Sequence, residues 1–473
     1  MLFNSLEFLF VFLPAVFIIY FALSKFNLYK FANLWLLAAS LYFYAYYKIE
    51  YLFIMAASIL FNYTMGYAVQ KAAQMHVKKL FAAAAVIGNL GLLFYFKYFN
   101  FLIETFNSLA ASGFETEKIL LPLGISFFTF QQISYIIDLY KGEAEHTGIA
   151  EYSLFVCFFP QLIAGPICVF KELAPQFRDK AKKIINRDNI YKGIFFITAG
   201  LAKKTLLADN FSSFIQAASL NTGGEFFYSW TYALAIALQG YFDFSGYCDM
   251  ALGIAALFNI DIPVNFFSPY KSIDISEFWR RWHITMGRFL KYSVYIPLGG
   301  SRRGEIRTYL NLLIVFAAVG IWHGADWCCI LYGILNGIGV CINKYWKKTG
   351  IVMNKYAAVF LTFAVMVFMS PLMILKQIDK YISACMSMLG INTDFNLPLI
   401  RDWNIVFPNS GLEISAVLLL AALILVFCVK NTNELAPLYV KSKNTGVSIL
   451  LAVLFITAAL SVTKHSEFIY FNF

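Results

Sequence analysis

An all-helical, polytopic membrane protein is predicted by three observations. The chain is 60% hydrophobic and only 14% charged, its apolar residues gather in runs long enough to span a bilayer, and those runs are continuous. An ordinary soluble domain carries roughly a quarter charged residues, so lipid must solvate much of this one. The runs fall at 5–23, 31–47, 51–69, 80–99, 119–140, 151–170, 191–208, 228–260, 309–343, 355–375, 412–429 and 446–463. Their lengths suit the roughly 20 residues a helix needs to cross a hydrocarbon core of about 30 Å. Roughly 10–14 membrane helices are expected, re-entrant segments included. A membrane β-barrel would instead show alternating segments of about 10 residues.

The first run, Leu6 to Leu23, has no basic residue before it and no small-residue cleavage site, so it reads as a retained helix rather than a signal peptide. The run that opens with Pro122 and Gly124 is the candidate for a re-entrant segment. Irregular backbone at membrane depth needs protein or a water-filled cavity to satisfy its polar groups. No linker, low-complexity tract or fixed-period repeat interrupts the pattern, which predicts one domain over 1–473.

Three polar intervals stand out, at 171–190, 263–308 and 376–411. The first two are rich in Lys and Arg and are expected to face the cytoplasm, the second as a basic interfacial segment. Between Lys271 and Arg307 there are eight Lys and Arg against Asp274, Glu277 and Glu305. That excess has two readings, membrane topology or attraction of a phosphate-bearing or acidic donor, and the docking candidates are Arg302, Arg303 and Arg307. The net charge of +10 resides in short loops between spans, so it argues for topology and against nucleic acid. The eight cysteines (157, 168, 248, 328, 329, 341, 385 and 428) form no C-x-x-C pair and sit almost entirely in apolar runs. Reduced, packed thiols are expected, and no metal site.

Ionisable groups inside a bilayer are costly and mark functional sites. Of the five histidines, His76, His146 and His465 lie in polar or terminal segments and read as solvated surface residues. His323, in Ile321-Trp322-His323-Gly324, ends an apolar run that begins near Leu310. A helix entering the bilayer there would carry it roughly 20 Å along, past the midplane. It is then either a packing residue or a functional one. His283 follows Phe278-Trp279-Arg280-Arg281-Trp282, a pattern suited equally to interfacial anchoring. Downstream, Tyr295-Ile-Pro-Leu-Gly-Gly300 predicts a turn that returns the chain to the membrane. Asp243 and Asp249 lie in a long apolar stretch and need partners, either a histidine or an arginine of the 280–307 segment. Asp326, three residues after His323, either orients that imidazole or has a helix-end or solvent-facing role. No nucleophile elbow, P-loop, H-E-x-x-H or dinucleotide fingerprint is present, which leaves histidine acid–base chemistry.

The run Asp274-Ile-Ser-Glu-Phe-Trp-Arg-Arg-Trp-His283-Ile-Thr, the Tyr295–Gly300 turn and Trp322-His323-Gly324-Ala325 together resemble the membrane-bound O-acyltransferase family, its alginate O-acetylase-like bacterial branch above all. Gly124-Ile-Ser-Phe-Phe-Thr-Phe-Gln131, Phe159-Pro-Gln-Leu-Ile-Ala-Gly-Pro166, Ala208-Asp-Asn210 and Glu467-Phe-Ile-Tyr-Phe-Asn-Phe473 add to the resemblance, which covers essentially the whole chain. It implies helices around a central tunnel, a catalytic residue at His323 and a second histidine, His283, near the donor entrance. Asp243, Asp249, Trp322 and Arg281 are the supporting candidates. Two departures are present: Lys291-Tyr292-Ser293 stands where relatives carry an Arg-Asp-Tyr-like triplet, and Asn336-Gly337 replaces a His-Gly.

The resemblance further implies an acetyl or other acyl group arriving from the cytoplasm on a thioester, acetyl-CoA or an acyl carrier, with no bound cofactor. His323 would act as general base, and His283 or a nearby Arg, Asn or Tyr would polarise the carbonyl or place the donor. The acceptor would be an exported or cell-envelope polysaccharide, served by a separate extracytoplasmic acetyltransferase or esterase-like partner at a bacterial inner membrane. The nearest alternative is D-alanyl transfer to teichoic acid from a carrier protein. A polysaccharide or lipid transporter would show inverted repeats, and none is seen.

Overall fold

The computed structural model describes all residues except 118, 219–225, 392, 394–411 and 463–473. His465 and the closing Glu467–Phe473 stretch therefore lie outside the described residues. Among the described residues there is no strand. In chain order the helices are α1 (Leu13–Lys25), α2 (Tyr29–Ala45), α3 (Ile49–Lys71), α4 (Met75–Leu93), α5 (Phe99–Ala110), α6 (Ile125–Lys141), α7 (Ile149–Cys157), α8 (Phe159–Leu162), α9 (Phe170–Arg178), α10 (Arg187–Ala202), α11 (Asp209–Ala218), α12 (Phe226–Leu257), α13 (Ile275–Arg281), α14 (Ile284–Leu290), α15 (Glu305–His323), α16 (Trp327–Trp346), α17 (Lys355–Met369), α18 (Ile378–Met388), α19 (Leu412–Phe427), α20 (Thr432–Ser442) and α21 (Thr445–Leu460).

Six stretches among the described residues are long and apolar enough to cross a membrane: Phe8–Lys25, Ile49–Lys71, Met75–Ala110, Glu305–His323, Trp327–Trp346 and Lys355–Met373. A pair bent by 76°, Val417–Phe427 with Thr432–Ser442, makes a seventh if it is one span. Of the other apolar runs, 228–260 forms the continuous 32-residue helix α12, 151–170 divides at Phe158 into α7 and α8, and 191–208 ends in a π-helical turn, Lys203–Ala208.

The chain packs as two compact units, residues 1–197 with 248–264, and residues 198–247 with 265–473. In the first unit an aromatic core joins Phe3, Phe8, Phe43 and Phe159, with successive ring centroids 5.0, 5.8 and 5.7 Å apart, the spacing at which edge and offset ring contacts are favourable. Inside the apolar helices α3 and α4, Asn62 and Asn89 exchange amide hydrogen bonds of 3.0 and 2.6 Å, and each donates a second one to its own helix backbone. Neither amide is left unsatisfied in an apolar surrounding.

The run opening with Pro122 and Gly124 becomes an irregular segment followed by α6. Gly124 adopts φ +70°, and a Cβ there would stand 2.7 Å from the Leu162 carbonyl, so only glycine fits. The Tyr44 hydroxyl donates to the Leu123 carbonyl at 2.9 Å, so protein satisfies a polar group of this irregular backbone. Fourteen of the seventeen α6 residues are buried, so this helix is surrounded by protein and does not present a lipid face.

His76 is exposed, but His146 departs from the expected solvated position. Its ring lies 4.5 and 5.6 Å from those of Tyr63 and Tyr67, its Nδ1 is 3.0 Å from the Tyr135 hydroxyl, and its backbone N–H donates to Gln70. The 142–148 loop folds back over the end of α3, which a local reading of its polar sequence does not reveal.

In the second unit α15 and α16 form a hairpin that crosses at glycines. A Cβ on Gly320 would meet the Cys329 carbonyl oxygen at 2.4 Å, and one on Gly333 would meet the Phe316 carbonyl oxygen at 2.3 Å. Backbones pack this closely in membranes through small residues. Asp326 caps α16 by accepting from the Cys329 N–H at 2.8 Å, a helix-end role. The Tyr295–Gly300 segment is the expected turn, with Gly299, Gly300 and Gly304 at positive φ, and Asn311 of α15 donates to the Gly300 carbonyl at 2.8 Å.

Candidate active site

α13 and α14 meet at His283, whose backbone lies at φ +47°, ψ +51°. A side-chain-bearing residue held in the left-handed region costs of order 1–3 kcal/mol, a strain that clusters at functional sites. The turn is held by the extended residues 265–267: the Phe267 N–H donates to the Arg281 carbonyl at 2.9 Å and the Ile284 N–H to the Asn265 carbonyl at 3.0 Å. The Asn265 side chain completes the clasp. Its Oδ1 accepts from the Thr285 N–H at 3.2 Å and the Thr285 hydroxyl at 3.0 Å, and lies 3.2 Å from His283 Nδ1.

His323 is the last residue of α15, where Gly324 turns to extended backbone at φ −158°. Both imidazoles are buried, His283 fully and His323 to within 2%. Trp322 lies between them edge-on, its ring 5.4 Å from that of His283 and 5.0 Å from that of His323. Phe244 of α12 meets His283 at 4.9 Å, and Tyr332 of α16 meets His323 at 6.2 Å. Burial first, and then the neighbouring His323, hold the His283 imidazole well below its ordinary value, because both disfavour the cation.

His323 lines a partly open cavity, with about 620 Å³ of atom-free space when the open mouth is included. Its wall is mostly apolar, with Gly240 of α12, Tyr270, Trp282 and Met366 among its residues, while Tyr332 and Ser370 add hydroxyls. Few polar groups converging in an apolar pocket are the usual form of a small-molecule site. α12 is fixed beside the cavity from two directions. The Tyr270 hydroxyl donates to the Ala237 carbonyl at 2.8 Å, and Asp243 pairs with Lys204 at 2.8 Å, which also reaches Asp209 at 2.9 Å.

The structure brings His283, Trp322 and His323 together and places the other predicted residues elsewhere. Asp243 takes Lys204, neither a histidine nor an arginine of the 280–307 segment, as its ion-pair partner. Asp249 is buried further along α12, in the first unit. Arg281 turns back to Glu277 at 2.7 Å, one helical turn away. Arg302, Arg303 and Arg307 are exposed at the start of α15, and the 16 residues from Arg307 to His323 span about 24 Å of helix. Asn336, which stands at a departure from the family pattern, is buried and accepts from the Trp279 indole N–H at 3.1 Å. Asn265, Thr285, Tyr332 and Lys204 are contributors that sequence reasoning misses; Asn265 is 18 residues before His283, and the chain between them is not one continuous helix or strand whose period could relate the two.

Residues 139–375, which include both histidines, match the membrane-bound O-acyltransferase family. A peptidoglycan O-acetyltransferase of Helicobacter pylori is 37% identical over 100% of this chain and 98% of its own length. A probable alginate O-acetylase of Azotobacter vinelandii is 38% identical over 73% of this chain and 69% of its own. A teichoic acid D-alanyltransferase of Streptococcus thermophilus is 30% identical over 51% and 61%. With its apolar helices and a matched segment that spans both buried histidines, the chain belongs to the membrane-bound O-acyltransferase family and is a multi-pass membrane acyltransferase.

Proposed function

We propose that this enzyme moves an acetyl group from a cytoplasmic thioester donor toward hydroxyls of an exported or cell-envelope polysaccharide, with His323 as general base. The observation that carries the reading is the burial of His323 on the wall of an apolar cavity, one indole ring from a second buried histidine. The similarity to a peptidoglycan O-acetyltransferase along the whole chain supports the acetyl group and the envelope acceptor.

In the step proposed, the acceptor hydroxyl oxygen attacks the thioester carbonyl as His323 takes its proton. The new C–O bond forms, the C–S bond breaks, and the imidazolium returns the proton to the departing thiolate. A positioned base of this kind contributes typically 10²–10⁴-fold, and orientation against the mostly apolar wall supplies the rest. Arg302, Arg303 and Arg307 would receive a phosphate-bearing donor or acidic carrier at the cytoplasmic mouth. An extracytoplasmic acetyltransferase or esterase-like partner would complete delivery at the bacterial inner membrane.

D-alanyl transfer is the second reading, favoured by the match to a teichoic acid D-alanyltransferase over half the chain. Mild base treatment of purified envelope polymers separates the two. Acetate released from the complemented strain and absent from the deletion strain supports acetylation, whereas D-alanine with the same dependence supports the alternative. His323→Ala, inserted at wild-type level, should abolish the released group; retained transfer rules out the base role.

A further inference from the structure

We propose that Asn265 is a positioning residue that holds His283 with its proton on Nδ1, so that Nε2 carries the lone pair and cannot serve as the donor that polarises the carbonyl. The inference rests on the acetyl-transfer reading and deepens it by giving the second histidine a definite chemical sense.

The argument turns on which atom of Asn265 faces the ring. The Thr285 backbone N–H can only donate, and it points at the same Asn265 atom as His283 Nδ1, at 3.2 Å in both cases. That atom is therefore the carbonyl oxygen, since an amide NH₂ there would set donor against donor. The Thr285 hydroxyl, at 3.0 Å, donates to the same oxygen. An oxygen can only accept, so Nδ1 carries the hydrogen. In a neutral imidazole the proton on one nitrogen leaves a lone pair on the other, and burial keeps this ring neutral.

The surroundings fit the assignment. α12 presents Phe244 to the ring, the extended 265–267 segment presents Asn265 and Phe266, and α15 presents Trp322 and the titratable His323. The left-handed backbone at His283 brings its side chain to Asn265 while the Ile284 N–H is bound to the Asn265 carbonyl. One asparagine thus fixes both the turn and the ring. With its lone pair on Nε2, the ring can accept there but not donate. Carbonyl polarisation then falls to another donor.

Two measurements on the full-length protein in lipid vesicles test this. ¹⁵N NMR of histidine-labelled enzyme, with the His283 signals identified by their loss in His283→Asn, should show a protonated Nδ1 and a bare Nε2. A proton on Nε2 overturns the proposal. In the transfer assay with acetyl-CoA, Asn265→Leu should lower kcat/KM by about 10²-fold, as displacement of a reacting group does. Asn265→Asp should retain more activity, because its carboxylate accepts the same proton, and should move the acidic limb of the pH profile upward by stabilising the imidazolium. Equal losses in both variants with an unshifted profile mark Asn265 as only a fold residue and overturn the proposal. His323→Ala, run alongside, reports on the underlying reading: if it stays active the base assignment fails, whatever the Asn265 variants do.

Discussion

Gly320 lies one helical turn before His323, at the crossing of α15 and α16, and Gly320→Ala is the smallest change that forces the two helices apart. The added Cβ would stand 2.4 Å from the Cys329 carbonyl oxygen and 3.0 and 3.1 Å from the Gly333 Cα and N. These are backbone atoms that no rotamer change can withdraw. Ordinary contact begins near 3.4 Å, so the crossing must open by about 1 Å. Misplacing a reacting group by that distance costs about 10²-fold in rate, and overpacking a well-packed site costs typically about 1–3 kcal/mol. The expected result is a protein that still inserts, with a lowered Tm and acetyl transfer down by about two orders of magnitude. Gly91→Ala is the control, because a Cβ there meets nothing within 4 Å. Transfer from radiolabelled acetyl-CoA in membrane vesicles and thermal unfolding in detergent measure both quantities. A Gly320→Ala enzyme with wild-type kcat and Tm would refute the reasoning, since the hairpin would have shifted without moving His323.

Neutralising Arg302, Arg303 and Arg307 together should raise the apparent KM for the donor and flatten its salt dependence while kcat at saturation stays similar; unchanged donor kinetics in a normally inserted variant would leave these residues a topological role alone. Lys183 is buried between the Tyr20 hydroxyl and Asn33, and burial pushes its ammonium from 10.5 down to about 8. Between those two values the unfolded chain holds a proton that the folded chain lacks, so stability should rise with pH across that window, by up to about 3 kcal/mol. Lys183→Met should remove this rise, read as the difference in Tm between wild type and variant from pH 7 to 10; an identical slope in the two proteins contradicts the assignment.

The parts of the site legible in the sequence are those that announce themselves locally. Trp322-His323-Gly324 ends an apolar run, Asp326 precedes the next one at capping distance, and the Pro297-Leu-Gly-Gly300 segment cannot continue a helix. The motif pattern around His283 supplied the second imidazole. What stayed hidden depends on pairing across the chain. Asn265 and Lys204 reach their partners through tertiary packing, which leaves no periodic trace. The apolar composition of α6 reads the same whether lipid or protein surrounds it, so its burial could not be told from hydropathy. His146 illustrates the opposite error, a polar loop that folds onto tyrosines of a neighbouring helix.

The reciprocal amides of Asn62 and Asn89 constrain how this sequence can change over time. Replacing either one by leucine leaves the other's amide with its own-helix bond alone and its oxygen unpaired among apolar side chains, at a cost of about 1–3 kcal/mol. Replacing both with shape-matched apolar residues removes donor and acceptor together and is close to neutral. Two positions 27 residues apart therefore behave as a single heritable character. Each intermediate with only one changed is the less fit, so descendants should carry both asparagines or neither, and mixed pairs should be rare wherever α3 and α4 retain this crossing.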